Sequence, residues 1–147
     1  MPTMRVLFLF GPNLGALGRR DPETYGGREL AEVMEEVARS GEIVGHAVEW
    51  RQSDAEGELV GWLLAAAGER FEAVVMNPGA LTHYSIALRD AVEASGLPVV
   101  EVHQTNIYAR EALRRHSAVS PACRAVIAGA GVGGYHLALE ALRWITR

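Results

Sequence analysis

The sequence predicts an α/β fold, one parallel β-sheet covered by helices on both faces, in a single domain over residues 1–147. Three observations carry that expectation. Short apolar runs alternate with helix-compatible segments along the whole chain. The apolar runs are near-continuous, as strands buried on both faces must be. The 147 residues, 49% hydrophobic and 22% charged, have the composition of a globular domain. A chain of this length hides roughly two-thirds of its unfolded surface, enough for one core.

The elements follow in order. Residues 5–10 form a short apolar strand, closed by Gly11 and Pro12. A loop of about fifteen residues comes next, rich in Gly, Pro, Asn and Arg, a length typical of lids. Residues 28–39 suit a helix with Leu30, Val33, Met34 and Val37 on one face, and Gly41 is its expected terminator. Residues 43–50 give a second strand. Ser53 and Glu56 have capping-box spacing and open a helix toward Arg70, with Leu59, Val60, Leu63 and Leu64 as its buried stripe.

Residues 71–76 form the third strand, ended by Asn77, Pro78 and Gly79. A helix over 85–95 stops at Gly96 and Pro98. Residues 99–102 are the fourth strand. A polar segment then leads into a short helix near 108–115, a fifth strand over 125–128 and a last helix over 132–145. Five strands alternating with helices at this size predict the flavodoxin-like, three-layer order 2-1-3-4-5. No internal repeat, low-complexity tract or interdomain linker interrupts the pattern.

Composition narrows the chemistry. Lysine is absent, so all 14 basic residues are arginine. That excludes a lysine Schiff base and a P-loop lysine. Cys123 is the sole cysteine, which excludes an intrachain disulfide and a multi-thiolate metal site. The net charge is −4 and the arginines are scattered, unlike the basic face of a nucleic-acid binder. No apolar stretch approaches the roughly 20 residues a membrane span needs. The run over 6–10 is too short for a signal-peptide core, so a cytoplasmic protein is expected.

In an open parallel sheet, ligands bind beyond the carboxyl ends of the strands at the topological switch point. Under the expected order, strands one, three and four are neighbours. Their ends carry Asn13; Asn77, Thr82 and His83; and Glu101, His103, Gln104, Thr105 and Asn106. Glu101 and His103 are two apart on a strand, so their side chains share a face. A carboxylate beside an imidazole fixes its tautomer and favours a general acid. In the long loop, Arg20 stands five residues before Tyr25. A guanidinium there stabilises a phenolate and would make that tyrosine a usable base. Gly129, Gly131 and Gly134 fit G-x-G-x-x-G, but no strand with an acidic residue follows to hold a ribose. They read as a tight turn with close helix packing, and Cys123 reads as a small buried residue.

Together these residues resemble a family. Phe10-Gly11-Pro12-Asn13-Leu14, residues 17–22, Tyr25-Gly26, residues 51–57, Asn77 through His83 and residues 87–90 are similar to type II 3-dehydroquinate dehydratases. So are Glu101-Val102-His103, Asn106, residues 109–111, Arg114 through Ser117 and Gly134-Tyr135. The motifs cover nearly the whole chain in the family's order.

The resemblance implies a metal-free, cofactor-free hydro-lyase of the shikimate pathway or quinate breakdown, assembled as a homo-dodecamer, a tetramer of trimers. It implies Tyr25 as the base that takes a C2 proton, with Arg20 holding it as phenolate. Asn13 positions a water at the enolate oxygen. His103, oriented by Glu101, protonates the departing C1 hydroxyl. Asn77 binds a substrate hydroxyl and helps place His103, while His83 and Arg114 engage hydroxyls on the far side. The backbone amides of Gln104 and Thr105, with the Thr105 hydroxyl, hold the carboxylate. Asp90 reaches in from a neighbouring subunit, and Arg110 supports that region.

Gln104, Thr105, Tyr84 and Leu113 depart from the residues common in the family at their positions. Gln104 and Tyr84 leave open an alternative, a catalytically weak paralogue that binds quinate-like ligands.

Overall fold

In the computed structural model, which describes residues 4–19, 23 and 27–146, five strands form one parallel sheet. They are β1 (Met4–Phe10), β2 (His46–Gln52), β3 (Ala73–Asn77), β4 (Val99–His103) and β5 (Ala125–Ala128). Their order is β2-β1-β3-β4-β5, the flavodoxin-like arrangement expected from the sequence. The register aligns Phe10 with both Gln52 and Asn77, and His103 with Ala128. The carboxyl ends of the strands therefore stand side by side.

Alternation along β1 builds two cores, because successive strand residues face opposite sides. Val6, Phe8 and Phe10 pack under α1 (Leu30–Ile43) and α4 (Gly133–Ile145). Leu7 and Leu9 pack under α2 (Glu56–Ala66) and α3 (Ile86–Ser95). Fully burying a side chain of this size contributes about 1.5–3 kcal/mol, so both helical layers are held by the same short strand.

Several boundaries differ from the sequence expectation, each for a contact reason. α1 runs through Gly41 to Ile43. A Cβ on Gly41 would lie 2.7 Å from Val48 Cγ2 and 3.0 Å from the His46 carbonyl oxygen, so this glycine admits β2 rather than ending the helix. The second strand accordingly starts at His46. The capping box is not formed. Ser53 Oγ accepts from the Ala55 N–H at 2.9 Å, and Glu56 accepts from Ser85 Oγ at 2.6 Å, which ties the start of α2 to that of α3. Leu59, Leu63 and Ala66 form the buried stripe of α2, with Val60 half-buried and Leu64 exposed.

α3 starts and stops as expected. Ser85 accepts from the Leu88 N–H at 2.9 Å, and Gly96 closes the helix at φ 68°. The short helix expected over 108–115 is two 3₁₀ turns, Ile107–Ala109 and Ala112–Arg115. Further 3₁₀ turns occur at Leu14–Arg19, Gly79–His83 and Ser120–Ala122. Among the described residues, no helix is long and apolar enough to cross a membrane.

Candidate active site

The loops after β1 and β3 touch because both contain glycine. A Cβ on Gly11 would meet the Pro78 carbonyl oxygen at 2.2 Å. A Cβ on Gly79, at φ 62°, would meet the Pro12 carbonyl oxygen at 2.9 Å. The Gly11 N–H donates to the Asn77 carbonyl at 2.8 Å, which locks the two strand ends together. Asn13 then adopts φ 70°, a left-handed conformation that asparagine tolerates better than most residues. The end of β2 holds it there. The Asn13 N–H donates to Asp54 Oδ1 at 2.9 Å, and Gln52 Nε2 bridges Asp54 Oδ1 and the Gly11 carbonyl at 3.1 Å each.

At the end of β4, Glu101 and His103 share a face, and His103 Nε2 bonds Glu101 Oε2 directly. Glu101 is completely buried, yet its carboxylate is surrounded by donors. Hydroxyls of Thr82, Ser117 and Ser120 approach it at 2.9, 3.0 and 2.9 Å. Burial pushes its pKa up, but the His103 bond and charge and the Ser120 and Thr82 hydroxyls outweigh that and hold it below the ordinary carboxylate value. With Nε2 committed to Glu101, His103 Nδ1 is the nitrogen left for proton exchange. The Cys123 thiol, 3.9 Å from Glu101, is pushed up to about 12, first by burial and then by the Glu101 charge. It stays a protonated thiol at neutral pH.

The 3₁₀ turn after β3 sends Thr82 inward to Glu101 and leaves His83 on the other side. His83 Nδ1 donates to the His116 carbonyl at 2.8 Å, because a carbonyl only accepts. The His83 ring stacks beside His103 with centroids 6.5 Å apart. Under the site, Asn77 Nδ2 and Gln104 Nε2 both reach the Tyr135 hydroxyl, at 2.9 and 3.1 Å. The glycine turn after β5 completes the frame. Gly129 and Gly131 N–H groups donate to the His103 and Gln104 carbonyls at 3.2 and 2.9 Å. A Cβ on Gly134 would stand 2.9 Å from Val102 Cγ1, so these glycines are a packing turn, as the sequence suggested.

One pocket collects these groups. Asn13, Asn77, His83, His103, Gln104, Thr105 and Arg114 line it, joined by Arg110. Among the described residues, no group of three or more His, Cys, Asp or Glu side chains is placed to hold a metal ion. The arrangement offers an imidazole with a fixed tautomer, carboxamide donors and two guanidiniums, suited to a small polyhydroxylated anion.

Residues 4–143 match the sequence family described as dehydroquinase class II. The chain belongs to that family. A 3-dehydroquinate dehydratase of Thermus thermophilus is 53% identical over 134 residues, covering 91% of this chain and 90% of that protein. The 3-dehydroquinate dehydratase 2 of Pseudomonas aeruginosa is 53% identical over 138 residues, covering 94% and 93%. The crystal structure of a type II dehydroquinase from Propionibacterium acnes superposes with a TM-score of 0.92 at 43% identity, covering 99% of each chain.

Within this class II dehydroquinase chain, the residues named from sequence fall into three groups. Asn13, Asn77, His83, His103, Gln104, Thr105 and Arg114 line the pocket, and Glu101 backs His103. Asp90 is exposed on α3 and does not line the pocket of its own chain. Arg20 and Tyr25 lie outside the described residues. Sequence reading missed the Thr82–Ser117–Ser120 ring around Glu101, the Gln52–Asp54 support of Asn13 and the Tyr135 hydroxyl. Tyr135 left one usable signal, a phenol just after the glycine turn at the sheet's carboxyl end.

Proposed function

We propose that the protein is a type II 3-dehydroquinate dehydratase, a hydro-lyase that converts 3-dehydroquinate to 3-dehydroshikimate and water through an enolate. The observation that carries this reading is the buried Glu101–His103 pair at the pocket floor. Hydroxide is a poor leaving group and needs an acid. His103, with Nε2 held by Glu101, supplies the proton from its other nitrogen to the departing C1 hydroxyl. The proton alpha to the ketone goes to the Tyr25 phenolate, which Arg20 stabilises. The resulting enolate oxygen is met by a water held by Asn13.

Asn77, His83 and Arg114 engage the substrate hydroxyls. The backbone amides at Gln104 and Thr105 and the Thr105 hydroxyl take the carboxylate. Arg110, 3.5 Å from Thr105 Oγ1, supports that end. An imine route is closed, because the chain has no lysine. A dodecamer built from trimers, acting in the cytoplasm, belongs to the same proposal. In it, the exposed Asp90 completes a neighbour's site.

The test is direct. Purified protein given 3-dehydroquinate should form an enone followed by its ultraviolet absorbance, and borohydride with substrate should leave the activity intact. Tyr25→Phe should bind substrate and lose turnover. Near-full rate in that variant would remove Tyr25 as the base. Calorimetric binding of quinate-like ligands by a wild type without turnover would establish the weak-paralogue reading instead.

A further inference from the structure

Tyr135 is fully buried at the start of α4 and takes no part in the chemistry above. Its ring is wedged against Phe8 and Phe10, with centroids 6.4 and 5.3 Å away. Its hydroxyl is nevertheless the meeting point of two buried carboxamides, Asn77 at 2.9 Å and Gln104 at 3.1 Å. Both of those residues line the pocket.

The position of this contact matters. Asn77 is the last residue of β3, and Gln104 follows the last residue of β4. The paired register of these two strands ends at Met76 with Glu101. Past that pair, no strand ladder holds the two ends at a set spacing, and it is there that the pocket opens. The Tyr135 hydroxyl spans the gap.

Hydrogen-bond direction adds a second constraint. The Gly79 N–H only donates, so it fixes Asn77 Oδ1 at 3.1 Å and turns the Asn77 amino end to the phenol. The phenol oxygen accepts that bond and keeps its own proton to give. Gln104 Oε1 is buried without a partner. The two ends of a carboxamide are assigned by their bonds. With the Gln104 oxygen turned to the phenol, the O–H gains an acceptor. The series then runs one way, from Gly79 to Asn77 to Tyr135 to Gln104. Burial raises the Tyr135 pKa, so the phenol retains the proton this series requires.

We propose that Tyr135 is a positioning residue of this site, whose hydroxyl ties Asn77 to Gln104 and so sets the spacing and amide orientation of the pocket floor between β3 and β4. The kinetic part of this inference rests on the dehydratase reading. The structural part does not.

Tyr135→Phe keeps the ring and removes the bridge. In the intact protein, the side-chain amide protons of Asn77, which donate to the Tyr135 hydroxyl, should lose protection from solvent exchange, read by NMR. With 3-dehydroquinate, kcat/KM should fall about tenfold, mostly in kcat. In an Asn77→Ala background, the same change should alter kcat/KM by less than about twofold, because the group it positions is gone. Gln104→Leu should reproduce part of the loss, and Gln104→Glu, which keeps an oxygen toward the phenol, should restore it. Unchanged amide protection, a wild-type rate in Tyr135→Phe, or a loss that simply multiplies with Asn77→Ala would overturn the proposal. If Tyr135→Phe fails to fold, equal rates in the two Gln104 variants overturn it. A wild type without turnover refutes the activity and leaves the amide measurement to decide the bridge.

Discussion

Glu101 shows how a single residue can be both buried and ionised. A carboxylate taken out of water is costly unless donors replace the solvent. Here three hydroxyls and an imidazole do so. Its folded-state pKa lies below the ordinary 4.5. A depressed carboxyl contributes stability above its unfolded pKa and loses that contribution as pH falls through the folded value. The melting temperature should therefore drop on acidification below about pH 4.5, and Glu101→Gln should flatten that fall. An equally steep fall in the variant would assign the acid limb to other groups.

Asn13 gives the complementary residue-scale test. Its φ of 70° suits glycine, so Asn13→Gly should leave stability within about 1 kcal/mol while removing the carboxamide. Denaturant unfolding should show little change and turnover should drop. Unchanged turnover would place Asn13 outside the chemistry.

At the scale of elements, close approach explains where the sequence expectation slipped. The alternation of strands and helices was legible because apolar runs and amphipathic segments differ in period. The stop signals were less legible, because a glycine near a helix end has two uses. Gly41 resembles a terminator, but its missing Cβ leaves room for Val48 of β2. Gly41→Ala should cost about 1–3 kcal/mol through overpacking, measured as a shift in the denaturant midpoint. A stabilised variant would show that helix propensity outweighs the clash. The failed capping box has the same kind of cause. Ser53 and Glu56 have the right spacing, yet Ser85, remote in sequence, bonds Glu56 instead.

Over the whole molecule, sheet order does the gathering. β1 lies next to β3 and β3 next to β4, so their loops form one pocket. The same view shows what one chain leaves open. Asp90 faces solvent, and so do Ile86, Tyr108 and Leu113. Under the proposed assembly, the protein should have a twelve-subunit mass in solution, and Asp90→Ala should weaken substrate binding without touching the chain's own pocket. A fully active single chain of 15.9 kDa would refute both.

The α/β class, the family resemblance and the pairing of Glu101 with His103 were legible in the chain alone, whereas the strand order was an expectation from element count and fold class that the sheet bears out. The first three depend on local information, such as hydrophobic period, strand alternation or a contiguous motif. What surrounds those residues was set by the packing of distant elements. Thr82 reaches Glu101 across 19 positions, Gln104 reaches Tyr135 across 31 and Asn77 reaches Tyr135 across 58. No periodicity encodes such contacts, because they arise where separate elements pack and most buried polar groups find partners there.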